Sequence, residues 1–381
     1  MLTLPDFPWD SLAPVKERAS AFSDPSFDGS AGHGIVDLSV GTPVDPTPAV
    51  VREALAAAAD APGYPQTYGT PDLREAVAAW FARRRGVPDL DPDGVLPTIG
   101  SKEIVAWLPL LLGLGPGDVV AHPRVAYPTY DVGARLAGAD PVPVDAITAL
   151  GPLTRSTTPK LLWLNTPSNP TGRVLGIEHL AKVVRWARQH DVVVASDECY
   201  AELDWRERTD DAEPPTTPSV LDPRVSAGSP EGLLCVYSLS KQSSLAGYRA
   251  AFVAGDPRLV ARLLEVRKHA GMMMAWPVQR AMVAALGDDA HVSEQKSRYA
   301  ARRAALLPAL ERFGLRVEDS EAGLYLWATA DEPGRTTVER LAERGVLVAP
   351  GDFYGSASRN HVRVAITATD ERVDAAVRRL A

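Results

Sequence analysis

The chain has 381 residues, of which 45% are hydrophobic and 23% charged, and its net charge is −8. That length holds a large core and a second, smaller one, and the composition is that of a globular protein. A mildly acidic chain with no basic run argues against a nucleic-acid partner.

The opening stretch, MLTLPDFPWD, lacks the basic and apolar regions of a signal peptide, so a cytoplasmic location is expected. The first forty residues hold no core-forming run and are expected to lie against a C-terminal domain. IVAWLPLLLGLG, 104–115, is the longest apolar stretch. It is too short to span a bilayer and is interrupted by Pro109, so no membrane association is expected.

The middle of the chain alternates strand-like and helix-period segments: DVVAHP (118–123), YDVGARLAG (130–138), KLLWLN (160–165), GIEHLAKVVRWARQH (176–190) and VVVAS (192–196). The last three form a βαβ unit, and the continuous apolar strands predict a mostly parallel α/β sheet covered on both faces. Residues 204–231 are acidic, rich in proline and weakly periodic, which predicts a long surface connection. Two further strand-like runs, 233–237 and 250–254, flank SLSKQSSLAGYR. A helical pattern over 277–313 then precedes the short strands GLYLWAT (323–329) and HVRVAIT (361–367), and ERVDAAVRRL closes the chain as a helix. The expected division is an N-terminal segment over 1–45, a large domain over 46–275 and a small α+β domain over 276–381. Cys199 and Cys235 both fall in apolar strand-like runs and read as buried thiols of a reducing compartment. The scattered histidines predict no metal site.

Four short motifs carry chemistry. Gly100 and Ser101 precede the helix-period run KEIVAWL, so they present free backbone N–H groups at a helix start, an arrangement that suits phosphate and also serves as an ordinary cap. NTPSNPTGR, 165–173, follows a strand, where open α/β sheets bind ligands. Turn chemistry accounts for Pro170 and Gly172 but not for the amide of Asn169. Asp197 and Tyr200 in SDECY end the next strand, and a carboxylate behind VVVA requires a positive partner, either a structural ion pair or a ligand. Lys241 sits among small residues with Ser238 before it and Arg249 after it. A desolvated lysine is a nucleophile toward carbonyl carbon, and a planar guanidinium suits phosphate. Together these are the parts that pyridoxal 5′-phosphate requires.

The ordered set Gly100-Ser101-Lys102, Asn169-Pro-Thr-Gly172, Asp197-x-x-Tyr200 and Ser238-x-x-Lys241 with Arg249 resembles the class I/II aminotransferases of fold type I, over nearly the whole chain. The resemblance implies a large pyridoxal-phosphate-binding domain with a smaller α+β domain, and ping-pong amino transfer between amino acids and 2-oxo acids. It implies that Lys241 holds the cofactor and acts as the general base. Asp197 would pair with the ring nitrogen, Asn169 and Tyr200 would bond the 3′-oxygen, and Ser101, Lys102, Ser238 and Arg249 would gather at the phosphate. Tyr127 would stack on the ring, while Gly41 and Arg363 would bind the substrate carboxylate and Asn169 would also contact the substrate. Tyr64 would reach the phosphate of a second subunit, making a homodimer with shared sites. The runs FPWDSLAPVK, VDLSVGTPVDPTP, AYPTYDVGARLAGA, VRKHAGMMM and GLYLWATADEPGR are further similar to the actinobacterial N-succinyldiaminopimelate aminotransferases of lysine biosynthesis. The alternatives on the same scaffold are an aminotransferase acting on aspartate, alanine or an aromatic amino acid, and a pyridoxal-phosphate-dependent carbon–sulfur lyase. For the far end of such a substrate, Arg267 and Lys268 are candidates that read more simply as surface residues. Met272–Met274 read as core or as an adaptable wall.

Overall fold

The computed structural model describes residues 4–151, 153–154, 156–206 and 217–381. Its strands in chain order are β1 (Val36–Asp37), β2 (Val95–Ile99), β3 (Val119–His122), β4 (Asp140–Pro143), β5 (Pro159–Asn165), β6 (Val193–Asp197), β7 (Leu233–Ser238), β8 (Ala250–Gly255), β9 (Arg316–Glu318), β10 (Tyr325–Thr329), β11 (Val346–Leu347), β12 (Ala349–Pro350) and β13 (His361–Ala365). A seven-stranded sheet has the order β2-β8-β7-β6-β5-β3-β4. β8 runs antiparallel to both its neighbours, and the other pairings are parallel. Alternate residues of these strands enter different cores. Leu162, Val194 and Cys235 pack on one face, and Leu161, Ala195 and Leu234 on the other. Burial on both faces explains why the strands read as unbroken apolar runs rather than as alternating ones.

A four-stranded antiparallel sheet, β12-β13-β10-β9, carries the C-terminal part. Its core also takes in Leu12, Val15, Ala19, Val36 and Leu38 from the beginning of the chain, and β1 pairs in parallel with β11. These five N-terminal side chains are therefore buried in the core of the small sheet.

Three sequence expectations change. The helical pattern over 277–313 is two helices, Trp276–Gly287 and Ala290–Arg312. The break is at Asp288, whose extended backbone leaves the first helix while its carboxylate accepts from Ala290 N at 3.0 Å and meets His291 Nδ1 at 3.0 Å. The expected surface connection over 204–231 lies partly outside the described residues, at 207–216. Its described remainder includes Ser219, Val220, Leu221 and Val225, all buried. Cys199 lies in the turn after β6 rather than in a strand, while Cys235 is in β7 as expected.

An ion pair explains why 219–221 is drawn inside. Glu198, the residue after β6, has a fully buried side chain that pairs with the buried Arg85 at 2.8 Å. Its other oxygen accepts from Val220 N at 2.7 Å, and its own N–H donates to Val236 O at 2.9 Å. The neighbouring arginines also hold acids, Arg83 with Asp289 and Arg84 with Glu202. The helix Pro71–Arg84 is thus tied to the strand end that carries Asp197. Removing one member of such a buried pair strands the other charge. Arg85→Met is expected to cost about 3–5 kcal/mol in chemical denaturation, and Arg85→Met with Glu198→Gln to recover most of it. A double variant as unstable as the single one would show that the buried charge is not the cause.

Candidate active site

The carboxyl ends of β5, β6 and β7 present Asn165, Asp197 and Ser238 to one cavity of about 440 Å³. The β5–β6 register sets Asn165 level with Asp197, and the Asn165 amide donates to Asp197 O at 3.0 Å and to Pro167 O at 3.2 Å. Its side-chain oxygen accepts from Asn169 N at 2.7 Å, which fixes the start of the Asn-Pro-Thr-Gly turn. The far end of that turn is fixed by the small sheet. Ser320 N donates to Thr171 O at 2.8 Å and Ala322 N to Gly172 O at 3.0 Å. Gly172 has φ +75°, and a Cβ there would press on Ser320 and Ala322 backbone, so glycine is required by close approach as well as by turn geometry.

At the start of the helix Ser101–Leu111, Gly100 has φ +76°, and a Cβ on it would collide with the guanidinium of Arg249. Gly100 N donates to Arg249 O at 2.7 Å, and Arg249 Nη1 donates to Ala246 O at 2.8 Å. Ser238 accepts from Ser240 N at 3.2 Å and donates to Ser240 Oγ at 2.8 Å. This side of the cavity therefore gathers a helix start, a guanidinium and two serine hydroxyls. Lys241 sits in the short helix Leu239–Gln242, and its Nζ donates to Gly41 O at 2.6 Å.

Asp197 is buried, accepting from Tyr130 Oη at 2.8 Å and from Cys199 N at 3.2 Å. The cationic partner expected from the sequence is not supplied by the chain: among the described residues no ion pair forms at this carboxylate. Burial raises its pKa, and its hydrogen bonds offset part of that rise. Arg363 is only 2% exposed. It donates to Asn169 Oδ1 at 2.8 Å and to Ser39 O at 2.8 Å, and its Nε is buried without a partner.

The cavity gathers Gly41, Ser101, Lys102, Tyr127, Asn169, Asp197, Tyr200, Ser238, Lys241, Arg249 and Arg363, residues spread over more than three hundred positions of the chain. Lys102 is exposed, and its Nζ lies 5.2 Å from the Phe7 ring centroid and 5.8 Å from that of Tyr127. Tyr64 is not in this cavity and is 95% exposed. Arg267 and Lys268 do not line it either. Arg267 is not a surface residue, being fully buried in a pair with Glu103 at 2.6 Å, whereas exposed Lys268 pairs with Glu265. Of the methionines, Met274 is buried in the core of the large sheet and none lines the cavity.

Several cavity residues carry no local mark in the sequence: Tyr325, Tyr130, Asn165, Phe7 and Trp9. Asn165 and Tyr130 could have been sought at the end of a predicted strand and one residue triplet beyond Tyr127. Tyr325 reads as one apolar strand residue among others. Its position also explains Gly41, since a Cβ at 41 would overlap the Tyr325 hydroxyl.

Comparison with known proteins agrees with this geometry. The family model described as aminotransferase class I and II matches residues 33–380. The chain is 61% identical to a probable aminotransferase of Mycobacterium tuberculosis, over 99% of this chain and 85% of that protein. It is 56% identical to a 4-dedimethylamino-4-oxo-anhydrotetracycline transaminase of Streptomyces rimosus, over the full length of both. Among solved structures, a probable N-succinyldiaminopimelate aminotransferase of Thermus thermophilus superposes with a TM-score of 0.83 at 29% identity, covering 98% of this chain and 99% of that one. The chain belongs to the class I and II aminotransferases, pyridoxal-phosphate enzymes of fold type I that pass an amino group between an amino acid and a 2-oxo acid.

Proposed function

We propose that this aminotransferase exchanges the amino group of glutamate with N-succinyl-2-amino-6-oxoheptanedioate, forming N-succinyl-LL-2,6-diaminoheptanedioate and 2-oxoglutarate on the route to diaminopimelate and lysine. The observation that carries the amino-acid chemistry is Arg363. It is a buried guanidinium with an unpartnered Nε, in the same cavity as Lys241. The succinylated substrate is supported by the whole-chain resemblance and by the structural likeness to the Thermus protein. A second reading, amino transfer to a polycyclic ketone, is favoured by the full-length 56% identity to the tetracycline transaminase.

The residues fit pyridoxal phosphate on three counts: a buried carboxylate that lacks a cation, a glycine that leaves room for a guanidinium at a helix start, and a lysine within the cavity. The bound cofactor supplies the electron sink that acidifies the substrate's α-carbon proton. Lys241 Nζ would hold the cofactor covalently and, once released, serve as the general base for that proton. Asp197 would hold the ring nitrogen protonated, Tyr200 and Asn169 would donate to the 3′-oxygen, and Tyr127 would cover the ring face. Ser101, Ser238 and Arg249, with Lys102 nearby, would receive the phosphate, and Arg363 with Gly41 the substrate carboxylate. Exposed Tyr64 would reach the site of a second copy, in a homodimer built from an N-terminal segment over 1–45, a large domain over 46–275 and a small domain over 276–381. Two unpaired buried cysteines support a cytoplasmic setting.

Two outcomes test these assignments. Because burial raises the Asp197 pKa, the cofactor-free native state keeps that proton to a higher pH than the unfolded chain does. Stability then falls as pH rises from the ordinary aspartate range through the raised native value. Cofactor-free Asp197→Asn lacks this loss and should melt at or above the wild type near neutral pH, while its gain in Tm on adding pyridoxal phosphate should shrink. An undiminished gain would remove Asp197 as the ring's partner. For the substrate, glutamate-dependent kinetics should give N-succinyl-2-amino-6-oxoheptanedioate a kcat/KM at least about tenfold above 4-dedimethylamino-4-oxo-anhydrotetracycline. The reverse order would favour the second reading.

A further inference from the structure

Tyr325 touches three parts of the site that otherwise stand apart. It opens β10, opposite Ala365 of β13, so it shares a sheet face with Arg363, two residues along the same partner strand. The guanidinium carbon of Arg363 lies 3.8 Å from the Tyr325 ring centroid. The Tyr325 hydroxyl is 3.2 Å from that of Tyr200, with the rings 5.7 Å apart in a near-perpendicular arrangement. The same hydroxyl packs against Gly41, whose carbonyl accepts from Lys241. Tyr325 is 5% exposed.

We propose that Tyr325 is a positioning residue that couples occupation of Arg363 by a substrate carboxylate to the hydroxyl of Tyr200, and through it to the cofactor. This rests on the placement of Tyr200 and Arg363 under the proposed function. With Arg363 unoccupied, its charge above the ring face makes the Tyr325 O–H a strong donor toward Tyr200. Donation into Tyr200 strengthens the bond that Tyr200 itself makes to the cofactor's 3′-oxygen, since hydrogen bonds in a chain polarise one another. A bound carboxylate cancels that charge and weakens both bonds. The cations facing Tyr325 agree with this direction. Burial raises its pKa, but Arg363, then Lys241 and the hydrogen bond shared with Tyr200 more than offset that, while Asp197 opposes, so the hydroxyl is more acidic than an ordinary phenol. Tyr200 is raised well above the ordinary value, mainly by burial. Tyr299 and Tyr354 face the same group from the helix Ala290–Arg312 and from the 3-10 turn Gly351–Tyr354.

The coupling differs from the direct bond between Arg363 and Asn169, which remains when the Tyr325 hydroxyl is removed. The holoenzyme's visible absorption is titrated with pH, with and without saturating succinate, a carboxylate that has no amino group to transfer. In the wild type, succinate should raise the midpoint of the chromophore's titration. In Tyr325→Phe that rise should fall to roughly half or less, with KM for glutamate changing more than the Tm does. Tyr354→Phe, which also removes a hydroxyl from a ring near Arg363 (4.9 Å), should keep the full rise. An unchanged rise in Tyr325→Phe overturns the coupling, as does an equal loss in both variants. Absence of any chromophore in the wild type would instead overturn the cofactor placement on which the coupling rests.

Discussion

Charge held out of water without its counter-charge is the constraint on which this structure depends. Asp197 and Arg363 are both buried beside one cavity, and among the described residues neither is paired with an opposite charge. An isolated buried charge is costly, and the protein meets that cost with hydrogen bonds and rings: Tyr130 and the Cys199 N–H at the carboxylate, and Asn169, Ser39 O and the Tyr325 face at the guanidinium. Arg363 Nε is left without a partner, and under the proposed function a substrate carboxylate would meet it, as the ring nitrogen would meet Asp197.

The two sheets divide the labour of holding that arrangement. The large sheet supplies Asn165, Asp197 and Ser238 from successive strand ends, and the Arg85–Glu198 pair locks the backbone beside Asp197. The small sheet supplies Tyr325 and Arg363, and its backbone grips the turn that carries Asn169. Under the proposed function a carboxylate at Arg363 would be felt across both sheets, because Asn169 and Tyr325 each bridge them.

The sequence made the sheet legible because strands buried on both faces leave unbroken apolar runs, such as KLLWLN, and helices between them keep a 3.6-residue period. Asp197, Asn169 and Lys241 stood out because each places a polar group where a strand ends, which local chemistry does not explain. Tyr325 and Tyr130 did not stand out, since a tyrosine in a strand or helix reads as core until its hydroxyl's neighbour is known. That neighbour lies 125 residues away for Tyr325 and 67 for Tyr130. Arg267 was misjudged for the same reason: a cation late in a helix reads as exposed, and Glu103, its partner, is 164 residues distant. The break at Asp288 was hidden because the apolar period continues across it.

The central claim is that Lys241 is the point to which these separated charges direct the cofactor. Borohydride reduction of the purified holoprotein, followed by digestion and mass analysis, tests it most directly. The account predicts a single pyridoxyl-phosphate label on the peptide containing Lys241. A label on Lys102 or any other lysine, or none on Lys241, would contradict it.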